Sequence, residues 1–110
     1  MLLIDAKNAF NNLNRMVALH NVRFTCPVIS VYLANCYRTP SVLFVDGGET
    51  LLSSEGTTQG DPLAMPWYSV STSTLIDLLR VLEGVKQVWL ADDAAAAGSL
   101  QELRNWYSSL

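Results

Sequence analysis

Apolar residues along the chain fall into short runs and helix-spaced stripes. Leu2-Leu3-Ile4 is a short apolar run that predicts a buried strand ending at Asp5. Beyond it, Phe10, Leu13, Met16 (or Val17) and His20 recur at the spacing of one helical face, so the strand leads into a helix. Pro27 stands where a first helical turn tolerates proline, and Val28, Val31, Tyr32 and Cys36 mark the inner face of a second helix that stops before Thr39-Pro40. Ser41 to Val45 and Thr50 to Ser53 are β-prone or apolar runs around Asp46-Gly47-Gly48, which is the chemistry of a hairpin.

The stretch Gly56-Thr57-Thr58-Gln59-Gly60 is a loop by composition, and Asp61-Pro62 resembles an N-cap followed by proline at the first helical position. Pro66 disturbs that first turn, so regular helix is expected from about there to Glu83, with Gly84 as its stop signal. Val85 to Ala91 predicts a further strand, Asp92-Asp93 a tight turn at its end, and Ala94 to Ala97 the returning strand. Leu100, Leu103, Trp106 (or Tyr107) and Leu110 mark a last helix, expected to be still running at the final residue. The order β-α-α-β-β-α-β-β-α, without repeats or linkers, predicts one α+β domain over residues 1–110, an antiparallel sheet covered on one face by helices.

Composition narrows the function classes. Half of the 110 residues are apolar, enough for a core of ordinary size. The longest uncharged run, Pro62 to Ile76, contains Pro66 and five Ser/Thr hydroxyls, so no membrane span is expected. Asp5 follows the opening apolar residues at once, which leaves no basic region and no apolar stretch for a signal peptide; an intracellular, non-secreted chain is expected, its compartment unspecified. Cys26, Cys36 and His20 match no zinc spacing, and the two cysteines are expected to be small core residues. Seven basic against ten acidic residues give a formal charge of −3, the wrong sign for a domain that grips nucleic acid unaided.

The chemistry lies in three acids at strand ends. Pairing the strand that ends at Asp5 with the one that ends at Asp92-Asp93 would bring three carboxylates into one small volume. Like charges so close require cations, and hard oxygen donors select Mg²⁺ or Mn²⁺. Two such ions about 3.5–4 Å apart form the clamp of in-line phosphoryl transfer. Taken singly, Asp-Asp is also ordinary turn chemistry and Asp5 an ordinary N-cap. Gly56 and Gly60 around Gln59 would let the main chain approach a substrate closely, yet without a Gly-Lys-Ser/Thr ending this is no Walker loop.

In order, Asp5-Ala6-Lys7-Asn8-Ala9-Phe10-Asn11, Thr58-Gln59-Gly60-Asp61-Pro62-Leu63-Ala64-Met65-Pro66 and Leu90-Ala91-Asp92-Asp93 resemble motifs A, B and C of reverse transcriptases. The wording is most similar to the non-LTR retrotransposon kind. The resemblance implies a polymerase palm-type fold and an RNA-directed DNA polymerase that acts on an RNA template, a DNA primer and deoxynucleoside triphosphates. It further implies that Asp5 and Asp92 bridge two Mg²⁺ ions, with Mn²⁺ as a substitute, and that Asp93 adjoins them. Ala6 to Ala9 would offer backbone N–H groups to the incoming nucleotide's phosphates. Phe10 would sit beneath the sugar as a gate against the 2′-hydroxyl, Gln59 would contact the nucleotide through its amide, and Gly60 would admit the templating base.

Each role has a plainer counterpart: Phe10 as a core ring beside Leu13 and Val17, Gln59 as an exposed loop amide. Leu90 stands where the family often has an aromatic, and Asn11 where aspartate is frequent. A viral RNA polymerase would more typically carry a second aspartate after Asp5 and an asparagine in the middle motif. Basic fingers, primer grip and thumb have no counterpart here, which accounts for the charge of −3 if the remaining parts of the parent polypeptide hold the nucleic acid. The other readings are a retroelement relic that folds or binds without catalysis, a viral RNA-dependent RNA polymerase palm, and a nuclease or phosphatase that uses the same acids to activate water.

Overall fold

The computed structural model describes residues 1–58 and 60–110; Gln59 lies outside the described residues. The chain is α+β, with five helices and two small antiparallel sheets among the described residues. It divides into two compact units, one of residues 1–7 and 72–110, the other of residues 8–71.

In the first unit, β1 (Leu2–Asp5), β4 (Lys86–Leu90) and β5 (Asp93–Ala97) form a three-stranded sheet in the order β1-β5-β4. Asp5's strand therefore lies beside the returning strand β5 and not beside β4, as direct pairing of the two acid-ending strands would have required. Side chains alternate between the faces. Leu2, Ile4, Trp89, Ala94 and Ala96 pack against Leu75 and Leu79 of α4 (Ala64–Arg80) and Leu103 and Trp106 of α5 (Leu100–Ser108). Alanine at 94 and 96 leaves room on that face for Trp106, which is fully buried. The opposite face exposes Leu3, Asp5, Val88, Leu90 and Asp93.

Gln87 fastens this packing. Its Oε1 accepts the indole N–H groups of Trp89 at 3.0 Å and Trp106 at 2.9 Å, and its Nε2 donates to the Ile76 carbonyl at 3.3 Å. A capping box starts α5, with the Ser99 N–H donating to the Glu102 carboxylate at 2.7 Å. These hydrogen bonds with Ser99 hold the Glu102 carboxyl below its ordinary pKa. The helix ends at Ser108 with Ser109 as its cap, short of the final residue.

The second unit departs further from the apolar pattern. The stripe through Phe10 and His20 breaks into α1 (Ala9–Asn12) and α2 (Arg15–Thr25). Asparagines make the break: Asn11 Nδ2 donates to Asn8 Oδ1 at 2.6 Å, and Asn14 Oδ1 accepts the Val17 N–H at 3.1 Å, competing with continuous helix. In α2 the buried side is Arg15, Ala18 and Val22, while Met16, Val17 and His20 are exposed. In α3 (Pro27–Tyr37) the inner face is Leu33 and Tyr37, with Ile29 half-buried; Val28, Val31, Tyr32 and Cys36 face outward. The expected stripe was apolar but lay on the wrong side, because the core of Ala18, Val22, Leu33, Tyr37 and Trp67 is built around two large rings, 4.3 Å apart.

Strands β2 (Ser41–Phe44) and β3 (Thr50–Ser53) form the expected hairpin, with Phe44 opposite Thr50. Asp61 Oδ1 accepts from the Leu63 N–H at 2.8 Å ahead of α4, but Pro62 is not its first residue: the helix begins at Ala64, slightly before the expected Pro66, and ends at Arg80, short of the expected Glu83. No helix among the described residues is long and apolar enough to cross a membrane.

Arg15 is 4% exposed and binds backbone instead of acid. Nε donates to the Gly56 carbonyl at 2.7 Å, and the two terminal nitrogens donate to the Ser53 carbonyl at 2.6 Å and Ser53 Oγ at 2.9 Å. Its guanidinium carbon lies 5.1 Å from the centre of the Tyr37 ring. Burial lowers the Arg15 pKa, opposed by Tyr37 and Glu55. Burial also raises the Tyr37 pKa above its ordinary 10.0, reinforced by the hydrogen bond to Asp61.

Two stability measurements follow. Replacing Gln87 by leucine leaves two indole N–H groups without their acceptor and is expected to cost about 2 kcal/mol in urea unfolding; an unchanged midpoint would contradict the role given to its amide. Because the folded state raises the Tyr37 pKa, this phenol's contribution is complete below pH 10 and is lost as pH climbs through the folded-state value. An alkaline titration of stability should fall above pH 10 less steeply in Tyr37→Phe than in the unaltered chain.

Candidate active site

The candidate site is built by register. Four pairs join β1 to β5: Leu2 with Ala96, Leu3 with Ala95, Ile4 with Ala94, and Asp5 with Asp93. Directly opposed residues of an antiparallel pair carry their Cβ atoms on one face, about 4.5–5.5 Å apart. Asp5 and Asp93 are both exposed on the open face. On the other side of β5, Leu90 pairs with Asp93, so Ala91 and Asp92 form a two-residue turn between β4 and β5. The Ala6 N–H donates to the Asp92 carbonyl at 3.2 Å, which ties the end of β1 to that turn. Asp5, Ala6, Asp92 and Asp93 thus share one end of one sheet.

This arrangement revises three expectations. Asp93 belongs to the strand and not to the turn, because pairing with both neighbours extends β5 by one residue. Ala6, expected to offer its N–H to phosphates, spends it on Asp92. Gly56 serves the fold: a Cβ there would lie within 2.6 Å of three backbone atoms of Asn11, and its φ of +71° favours glycine.

The turn is also strained. Ala91 has φ +56°, a left-handed backbone that costs an L-residue with a Cβ about 1 kcal/mol. Tight closure of β4 onto β5 demands it, and closure brings Asp92 into line with β1. On the open face a cavity of about 390 Å³ adjoins the acids, lined by Leu3, Val88, Leu90 and Ala95 as well as Asp5 and Asp93. Among the described residues, no group of three or more His, Cys, Asp and Glu side chains could hold a metal ion.

Phe10 and Gly60 belong to the second unit. Phe10 is half-buried, its ring centre 4.6 Å from that of Tyr68, and its carbonyl accepts the Thr57 N–H at 2.8 Å. Gly60 has φ +85° with open space where a Cβ would be. Gln59 lies outside the described residues. Cys36 is exposed and Cys26 half-buried, so the expectation of two core thiols fails for Cys36. Pattern reading passed over Arg15, Tyr37 and Gln87, polar groups in the cores of their units. The available signal was Arg15's place on the helical stripe of Ala18 and Val22.

Removing one of two facing like charges should stabilise the sheet. Asp93→Asn is expected to raise unfolding free energy by about 0.5 kcal/mol at low ionic strength, with the gain shrinking in salt; a loss of stability would mean that the carboxylates do not repel. Comparison of the chain with protein-family models, with curated proteins and with solved structures finds no match.

Proposed function

We propose that the chain is a palm-type segment of an RNA-directed DNA polymerase, a nucleotidyltransferase that adds deoxynucleotides to a DNA primer on an RNA template. The reading rests on the three motif-like stretches and on one observation: Asp5 lies across from Asp93 on the open face, and the Asp92 main chain is bonded to Ala6, so two carboxylates oppose each other at the end of the sheet where the Asp92 turn also lies. Turn chemistry by itself does not require an acid opposite an acid. Opposed like charges weaken a ladder, and their presence at a strained turn favours a role in binding cations.

The three acids do not form a ready three-ligand cluster among the described residues, but the chemistry of their donors suits magnesium. All three side chains offer hard carboxylate oxygens, and Mg²⁺ characteristically takes one or two protein carboxylates and completes its shell with water and substrate phosphates. Asp5 and Asp92 would hold the ions, which when bound supply the positive charge that in-line displacement of pyrophosphate by a primer hydroxyl requires. Asp93 deepens the negative potential at the same place. Ala6 fixes the distance between β1 and the turn by its hydrogen bond to Asp92. Leu3, Val88 and Leu90 give the adjoining surface an apolar character.

Exposed apolar surface supports a part that works within a larger body. Val28 and Val31 on α3 and Phe44 and Leu52 on the hairpin are 89%, 69%, 85% and 68% exposed. Fingers and thumb would cover such surfaces and bring the basic residues that this acidic segment lacks.

Joined to reverse-transcriptase fingers and thumb, the segment is expected to extend a DNA primer on RNA with Mg²⁺ and to release pyrophosphate, and Asp92→Asn is expected to abolish extension. Extension that persists in Asp92→Asn, or a product that shortens the strand, would sink the proposal. The 110-residue chain alone is expected to be inactive, since positioning of primer and triphosphate is most of the catalysis.

A further inference from the structure

The turn from Thr58 to Asp61 is held at both ends by one hydroxyl. Tyr37 Oη accepts the Thr58 N–H at 3.2 Å and donates to Asp61 Oδ2, while Asp61 Oδ1 accepts the Leu63 N–H at 2.8 Å. The Tyr37 ring is fixed in turn by the Arg15 guanidinium on one side and by Trp67, ring centres 4.3 Å apart, within the core. Arg15 also binds the chain just ahead of the turn, at Ser53 and Gly56. Gly56 N–H then donates to the Leu13 carbonyl, and Thr57 N–H to the Phe10 carbonyl, both at 2.8 Å.

We propose that Arg15 and Tyr37 are positioning residues for this turn, which, under the polymerase reading on which the inference rests, lies against the incoming deoxynucleotide. A buried guanidinium is a costly way to fill a place on a stripe shared with Ala18 and Val22, and an apolar side chain would pack there without desolvating a charge. What only a guanidinium supplies is a planar fork of donors that grips several acceptors in fixed directions. Here its bonds go to one segment, ahead of Thr58, and its face lies on the ring whose hydroxyl closes the turn. The ends of the turn are clamped while Gly60, between them, has open space beside its Cα. Thr58 and Asp61 are thus held in place beside the open space at Gly60, and rigid placement is what precise ligand contact needs.

Tyr37→Phe tests the idea with little risk to folding, because the ring remains beneath Arg15 and against Trp67 while the hydroxyl is lost. In the segment joined to fingers and thumb, it is expected to raise KM for the deoxynucleotide about tenfold and to leave kcat within about twofold. Arg15→Ala should raise KM on the order of a hundredfold, and Arg15→Lys, which keeps the charge but not the fork, should fall between. In the 110-residue chain, Tyr37→Phe should speed hydrogen exchange at the Thr58 amide. Unchanged KM in a folded Tyr37→Phe enzyme, or a fall in kcat alone, would overturn the positioning role. Absence of extension by the unaltered polypeptide would instead overturn the polymerase reading itself, a result distinct from any change in the variants.

Discussion

The central constraint in the first unit is the place of β5 between β1 and β4. One strand with two partners sets two registers at once, and an antiparallel register assigns every side chain to a face. Asp5 falls opposite Asp93 because Leu2 falls opposite Ala96; a slip of one residue would send Leu2 and Ile4 to the open face and Asp5 into the apolar layer beneath Trp106. The apolar packing of the inner face therefore enforces the electrostatic crowding of the outer one. Stability and candidate chemistry share a single cause.

The second unit uses a different device, a buried cation bound to backbone carbonyls. Arg15 joins the start of α2 to the end of β3 and to Gly56, so segments about 40 residues apart in sequence meet at one side chain. Gly56 permits this by having no Cβ at its approach to Asn11. Tyr37 extends the connection to Asp61 at the entrance of α4. The unit has a small apolar core, and a directional polar network supplies the specificity that packing alone would leave loose.

Both units leave much apolar surface open. On the three-stranded sheet the open face carries leucine and valine beside aspartate, and on α3 and the hairpin the outward residues are apolar as well. The chain carries a net charge of −3 beside this apolar surface, and under the proposed function the phosphate-binding cations would be supplied from elsewhere.

The sequence by itself determined the kinds and order of the elements. Short apolar or β-prone runs bounded by turn residues located the five described strands to within about a residue, and Pro27 marked a helix start through local backbone chemistry, whereas α4 stops at Arg80, short of the Glu83 end that Gly84 suggested. It also singled out Asp5, Asp92 and Asp93, since acids that end apolar runs are visible without coordinates. Only tertiary structure decided which face of a helix is inside. Val28 and Val31 are as apolar as Leu33, and hydropathy cannot choose between two apolar stripes when a tyrosine and a tryptophan on neighbouring helices set the shape of the core. It alone revealed Arg15 and Gln87 as fasteners, because a polar residue is recognised as internal only by the partners that satisfy it, and those partners lie far away in sequence. Strand order, too, was decided there: which of two hairpin strands meets β1 depends on long-range backbone pairing, to which the local pattern of either strand is indifferent.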